Sequence, residues 1–213
     1  MTQSAGKVGT ILIVLIASYF YTIRFGSKRE KAKIFFKSVL ALGLLLGAFA
    51  FFNENITKKA LKLPRPCYTF VMEQSGITTK IDSLCNLNGQ DRKLFLQHII
   101  DSHVGSFSKV DKKVLNHWIE ESGYSFPSGH SFNAFLLAFI MAYSMYYSTN
   151  KIARYFYVLP FIWATMVGLS RIAMGAHTPL DVSFGAAMGL LVAILFLYFD
   201  NTKKMILPSK SKI

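Results

Sequence analysis

Uncharged apolar segments restrict the fold of this chain more than any other feature of its sequence. Segments 8–23, 38–53, 131–150, 155–170 and 182–199 contain no Asp, Glu, Lys or Arg. A membrane-spanning helix needs roughly 20 mostly apolar residues, and flanking Lys and Arg side chains compensate when a segment is short. Buried helices of a soluble protein are the alternative, but five such blocks favour the membrane. We predict an all-α polytopic membrane helix bundle of about five spans.

Lysine and arginine positions predict the orientation of these spans. Basic residues are concentrated in the loop 24–37, at Lys151 and Arg154, and in the tail at Lys203, Lys204, Lys210 and Lys212. With five spans these regions share one side, which the positive-inside rule makes cytoplasmic. The formal net charge of +13 therefore indicates attraction to anionic membrane lipids, with no nucleic-acid partner. The first segment lacks a small-residue cleavage site, and we interpret it as an uncleaved span.

An external insertion of about residues 54–130 is expected between spans two and three of a single domain covering residues 1–213. Helical periodicity predicts helices over 91–103 and 109–121. Cys67 and Cys85 both lie in this segment, where an oxidising compartment permits either a disulfide or two free thiols.

Small residues recur at a four-residue interval in two of the predicted spans. They form Gly43-x-x-x-Gly47 in span two and Gly185-x-x-x-Gly189 in span five. Such pairs let membrane helices approach each other closely. We therefore predict a close helix contact at each pair.

Polar residues from three separate parts of the chain converge on the outer face in this topology. They are Lys58, Arg65, Ser128, His130, Arg171, His177 and Asp181. Three cations without matching carboxylates favour an anion with more than one negative charge, and guanidinium groups match phosphate oxygens. Gly129 lies where a helix N-terminus lets backbone amides approach such an anion. No metal-ligand spacing accompanies these residues, so we expect no metal and no cofactor.

Two histidines beside a bound phosphate suggest covalent catalysis. His177 is the candidate nucleophile, Asp181 its orienting carboxylate four residues later on a helical turn, and His130 the general acid. Structural alternatives exist for each cluster. Thr178, Pro179 and Asp181 are typical of a helix start, Ser128 of an N-cap, and Lys58 and Arg171 of interfacial anchors. His98, His103 and His117 are interpreted as surface or interfacial residues.

Together, Lys58-(six residues)-Arg65-Pro66, Pro127-Ser128-Gly129-His130 and Ser170-Arg171-(five residues)-His177-(three residues)-Asp181 resemble the signature of the type 2 phosphatidic acid phosphatase (PAP2) superfamily. The insertion and its NHWIEESGYSFPSGHS stretch look most like the bacterial phosphatidylglycerophosphate phosphatase B branch. The resemblance implies a metal-independent lipid phosphatase of the bacterial inner membrane that acts at the periplasmic face through a phosphohistidine. Lys58, Arg65, Ser128, Gly129 and Arg171 would hold the phosphate, and His177, His130 and Asp181 would be catalytic.

The expected substrates are phosphatidylglycerol phosphate, undecaprenyl diphosphate, phosphatidic acid or a lipid A phosphate, and the other expected partners are membrane lipids. Two alternatives remain open at this point. The same site would serve a lipid-to-lipid phosphotransferase, and a non-enzymatic lipid-binding protein would retain it as a relic. The sequence does not indicate an oligomeric state.

Overall fold

A computed structural model describes residues 7–23, 25, 27–77, 81–148 and 150–206. Every regular element in these ranges is helical, so the prediction of an all-α fold is confirmed. Arg24, Lys210 and Lys212, which contribute to the orientation argument, lie outside the described residues. The side chains of Lys203 and Lys204 lie outside them as well.

Long helices match the five apolar segments. They are α1 (Lys7–Thr22), α2 (Lys28–Phe52), α9 (Gly129–Tyr146), α11 (Leu159–Ala173) and α12 (Pro179–Ile206). By length and composition, two stretches in the described part of the chain can cross a membrane, Lys28–Leu61 and Pro179–Phe199. Gly9–Thr22 and Leu159–Ala173 are shorter apolar helices. The membrane bundle is thus supported, while the count of five spans stays a prediction.

The outer end of α2 departs from regular helix geometry. A π-helical turn at Asn53–Thr57 joins α2 to the short helix α3 (Lys58–Leu61). The Lys58 amide donates to the Asn53 carbonyl five residues earlier, which is the hydrogen-bond pattern of a π-helix. After α3, Lys62 adopts the left-handed conformation with φ of 48° and ends the helix.

At the centre of the bundle, α9 packs against α1, α11 and α12. A Cβ atom at Gly185 would collide with the Ser128 carbonyl oxygen, and one at Gly189 with the Phe132 carbonyl oxygen. These glycines therefore hold α12 against the backbone of α9, which confirms the close contact predicted for this pair. The contact predicted for Gly43 and Gly47 is wrong, because a Cβ at either position meets nothing within 4 Å.

The insertion between α3 and α9 forms a helical layer with a hydrophobic core of its own. Its helices are α4 (Pro66–Ser75), α5 (Ile81–Asn86), α6 (Gly89–Ser102), α7 (Val104–Phe107) and α8 (Lys112–Glu120), and the short α10 (Lys151–Tyr155) lies later in the bundle. Both helices predicted in the insertion are present as α6 and α8. Side chains of Asn88 and Asp111 cap them at their N-termini, which sets where each begins.

Hydrogen bonds join this layer to the loop between α11 and α12. The Cys67 amide donates to the Gly175 carbonyl at 2.8 Å, and Trp118 Nε1 donates to the Met174 carbonyl at 2.6 Å. The insertion is therefore bonded to the segment that carries His177. Cys67 and Cys85 are both buried and are not joined by a disulfide, so of the two open possibilities the structure has two thiols.

Candidate active site

A cavity of about 750 Å³ lies between the bundle and the insertion. Polar residues from four parts of the chain line one end, namely Lys58, Arg65, Glu121, His130 and His177. The rest of its wall is mainly apolar and comes from α1 and α2, including Val14, Leu15, Val39, Gly43, Leu46 and Gly47. The structure therefore brings together several of the residues that we predicted at one face. They line a cavity whose remaining wall is mainly apolar.

Lys58 lies at the polar end of the cavity and is buried, unlike its exposed neighbours Lys59 and Lys62. Its Nζ is 2.5 Å from Glu54 Oε1, a carboxylate whose side chain is 52% exposed. The π-helical turn brings Asn53, Glu54 and Lys58 to the same cavity wall. An anchor at the membrane surface would be exposed, so this alternative does not describe Lys58.

Arg65 immediately precedes α4 and is held by backbone carbonyl groups on several sides. Its Nη2 donates to Ser122 O at 2.9 Å and its Nη1 to Ala176 O at 3.0 Å. The same Nη1 lies 3.3 Å from His177 Nε2 and 3.1 Å from Glu121 Oε2. These bonds fix the guanidinium between the insertion and the loop that carries His177.

Arg171 is fully buried, at 0% exposure, so the interfacial-anchor alternative is wrong for it. Its Nη2 donates to Glu121 Oε1, and its Nη1 lies 2.9 Å from His117 Nε2. His117 Nε2 is in turn 2.8 Å from Glu121 Oε1. The expectation of cations without matching carboxylates is therefore wrong, since Glu54 pairs with Lys58, and Glu121 with both arginines.

The sequence reasoning missed Glu121 and assigned His117 to the surface. His117 lies in the last turn of α8 and Glu121 directly follows that helix, and their contacts with Arg171 span 54 and 50 residues of sequence. No local spacing indicates such a pairing. Burial alone would raise the pKa of Glu121, but the hydrogen bond from His117 and the charges of Arg65 and Arg171 outweigh it. They hold the pKa of this carboxyl well below its usual range, so Glu121 is an anion at neutral pH.

His177 lies just before α12 and is buried. A guanidinium group can only donate, so His177 Nε2 accepts from Arg65 and the neutral ring carries its proton on Nδ1. Nδ1 is 3.6 Å from Asp181 Oδ2, longer than a hydrogen bond, and it has no hydrogen-bond partner in the described part of the chain. Burial lowers the pKa of His177 to about 4 despite the raising effect of Asp181, which keeps the imidazole neutral at pH 7.

Asp181 takes part in the start of α12. Its Oδ2 accepts from the Thr178 amide at 2.7 Å, and its own amide donates to Thr178 Oγ1 at 3.2 Å, a reciprocal capping arrangement. Oδ2 also accepts from Ser125 Oγ at 2.6 Å, a partner that the sequence did not reveal. The helix start is thus present, and it brings Asp181 to His177 without the helical turn that we predicted between them.

Ser128 and Gly129 form the N-terminus of α9. Ser128 is its N-cap, with Oγ accepting from the Ser131 amide at 3.4 Å, and the Ser128 amide donates to the Asp181 carbonyl at 3.1 Å. The alternative that Ser128 is a helix N-cap is therefore correct. Gly129 and His130 follow it and line the cavity, so the positive end of this helix faces the same space as His177.

Comparison with known proteins gives a match to the PAP2 superfamily over residues 36–205. Among curated relatives, phosphatidylglycerophosphatase B of Bacillus subtilis is 36% identical over 43% of this chain and 52% of its own length. Phosphatidylglycerophosphatase B of Haemophilus influenzae is 25% identical over 92% of this chain and 79% of its own length. A lipid A 1-phosphatase of Rhizobium johnstonii is 40% identical over 34% of this chain and 28% of its own length. The match thus spans about half of the B. subtilis relative.

Proposed function

Because the chain belongs to the PAP2 superfamily, we propose that it is a membrane lipid phosphatase that hydrolyses a terminal phosphomonoester or diphosphate of a lipid. One observation carries the proposal. The cavity that holds His177, His130, Lys58 and Arg65 continues along the apolar walls of α1 and α2. A phosphate group and a hydrocarbon chain of one molecule match these two environments.

The apolar part of the cavity reaches the outside of the bundle. Ile11 and Leu15 of α1 line it and are 65% and 38% exposed. In a membrane these exposed apolar side chains contact lipid, so a lipid can enter sideways with its headgroup at the polar end. This route supports a membrane lipid as the substrate rather than a soluble phosphate ester.

The proposed reaction has two steps. His177 Nε2 attacks phosphorus and forms a P–N bond, the P–O bond to the lipid breaks, and His130 donates a proton to the departing oxygen. Water then attacks the phosphohistidine, which releases inorganic phosphate and restores His177, while His130 accepts the proton from that water. Lys58, Arg65 and Arg171 supply the positive charge that stabilises the phosphoryl oxygens, together with amides near Ser128 and Gly129, so this reaction needs no metal.

Asp181 has a supporting role in this scheme. It lies on the Nδ1 side of His177, where its charge stabilises the imidazolium character that develops during attack. Hydrogen bonds from Ser125 and the Thr178 amide hold the carboxylate in place.

Names of relatives guide the choice of lipid substrates. Phosphatidylglycerol phosphate and a lipid A phosphate correspond to the names of the relatives above. Phosphatidic acid also ends in a phosphomonoester, and undecaprenyl diphosphate ends in a diphosphate. The charge distribution of the sequence supports a bacterial inner-membrane location with the site facing the periplasm.

A comparison of two histidine variants tests the proposal. Purified His177→Ala protein is expected to lose at least about a thousandfold in phosphate release from this lipid panel, because it lacks the nucleophile. His98→Ala, which changes an exposed histidine of α6, is the matched control and should retain wild-type rates. Added chelator should change neither rate. Undiminished turnover by His177→Ala would exclude the proposed role, and transfer of labelled phosphate to a second lipid instead of water would indicate a phosphotransferase.

A further inference from the structure

Glu121 places a carboxylate where the proposed reaction needs the substrate's phosphate. Its Oε2 lies 3.1 Å from Arg65 Nη1, and its Oε1 accepts from Arg171 Nη2. These are two of the three cations to which we assign the phosphate, so the inference rests on the proposed function. The site therefore contains an anion that belongs to the chain itself.

The carboxylate stands between the cavity and Arg171. Glu121 and Arg65 line the cavity, whereas Arg171 is not part of its described wall and is fully buried. Arg171 also retains an Nε–H that has no hydrogen-bond partner among the described residues. Because Glu121 lines the cavity and also bonds Arg171, movement of its side chain would open Arg171 to a ligand in the cavity.

The main chain of Glu121 is fixed from both sides. Its carbonyl oxygen accepts from Tyr68 Oη at 2.7 Å and from Arg92 Nε at 3.0 Å. Its amide donates to the His117 carbonyl at 3.0 Å. Movement of the carboxylate therefore needs rotation of the side chain alone, with no rearrangement of the insertion.

We propose that Glu121 is a resident anion that the substrate's phosphate must displace from Arg65 and Arg171. Two buried arginines without a counter-ion would be unfavourable, and the Glu121 carboxylate compensates their charge. A terminal phosphate with two negative charges gains more from the arginines than the carboxylate that it replaces.

Removing the negative charge of Glu121 tests whether phosphate has to displace this carboxylate from the arginines. Binding of inorganic phosphate to the full chain in detergent is measured from the shift in thermal unfolding, for wild type, Glu121→Gln and Glu120→Gln. Glu121→Gln is expected to bind phosphate about tenfold more tightly, because no anion has to be displaced. Glu120, an exposed neighbour that pairs with Lys93, is the control and should leave affinity unchanged. Wild-type or weaker phosphate affinity in Glu121→Gln would overturn the proposal.

Lipid hydrolysis gives a second readout, which a purely structural role would not move in this direction. In Glu121→Gln, KM for a lipid phosphate should fall without a rise in kcat, because the substrate no longer has to displace the carboxylate. An unchanged or higher KM would contradict the exchange.

A third variant covers the case in which Glu121→Gln does not fold. Glu121→Asp keeps the charge but is one methylene shorter, so it should hold Arg171 less well and bind phosphate about threefold more tightly. Failure of this variant to tighten binding would also refute the exchange. Failure of the exchange and failure of the hydrolase assignment give different results. Wild-type hydrolysis without tighter phosphate binding refutes the exchange alone, whereas tighter binding without any lipid hydrolysis refutes the hydrolase alone.

Discussion

In the proposed mechanism, the neighbours of His177 determine which of its two ring nitrogens reacts. Arg65 donates to Nε2, and Asp181 lies on the Nδ1 side, so the two charges favour the same tautomer. Arg65 must release Nε2 before this nitrogen can attack phosphorus. A phosphate bound to Arg65 provides the alternative acceptor for that guanidinium, which couples substrate binding to exposure of the nucleophile.

The protonation of His177 gives a testable prediction. Burial lowers its pKa to about 4, so the ring stays neutral and nucleophilic above that pH and becomes protonated and inactive as pH falls through it. In NMR spectra, the imidazole signal that is missing from His177→Ala should not titrate between about pH 5 and 8. A titration near pH 6.5, the usual value for histidine, would contradict the buried geometry.

The candidate site residues that could be proposed from the sequence are those that share a local motif. The spacing of Lys58 from Arg65 and the order of Ser128, Gly129 and His130 are visible along the chain. Glu121, His117 and Ser125 were not predicted, because their partners lie 50 or more residues away in sequence. Their role arises only when the insertion packs against the loop between α11 and α12.

Glycine pairs of the same spacing behave differently in α2 and α12. The glycines of α12 contact backbone atoms of α9, whereas those of α2 line the cavity. The four-residue interval predicts a helix face without bulky side chains. It does not predict whether another helix or a cavity lies against that face. The π-helical turn after α2 is equally invisible in the apolar pattern, since it depends on a backbone shift rather than on residue type.

Alanine substitutions distinguish the two glycine pairs. Gly185→Ala is expected to destabilise the protein by about 1–3 kcal/mol, because its Cβ would collide with the Ser128 carbonyl. Gly43→Ala meets no atom within 4 Å and should be neutral or stabilising by up to about 1 kcal/mol, because alanine favours the helix. Thermal unfolding of both variants in the same detergent measures the difference. Equal stability of the two variants would contradict the packing described here.

At the scale of the whole molecule, two hydrophobic cores meet at the active site. One core belongs to the bundle and includes Leu42, Phe132 and Leu136, and the other belongs to the insertion and includes Tyr68 and Trp118. Arg65 and Glu121 come from the insertion side of this boundary, and His130 and His177 from the bundle side. The sequence predicted the bundle and placed the insertion outside. It did not predict how the two cores join, because that depends on contacts between residues far apart in the chain.

Filling the apolar part of the cavity should change the preference for lipid chain length. Gly47→Leu adds a side chain to the cavity wall. It is expected to lower kcat/KM for a long-chain lipid phosphate about tenfold more than for a short-chain analogue, since several methylene contacts are lost. Leu44→Phe, on the exposed face of the same helix, is the matched control. An equal loss for both chain lengths would show that this space does not hold the hydrocarbon chain.

The exposed apolar residues at the cavity mouth on α1 bear on whether the proposed substrate reaches the site from the bilayer or from solution. If the lipid enters sideways past Ile11 and Leu15, it never leaves the bilayer, and encounter takes place in two dimensions. The quantity that governs saturation is then the mole fraction of the lipid in the membrane, and its bulk concentration has no direct effect. Dilution with inert lipid should slow the enzyme even when the total amount of substrate is unchanged.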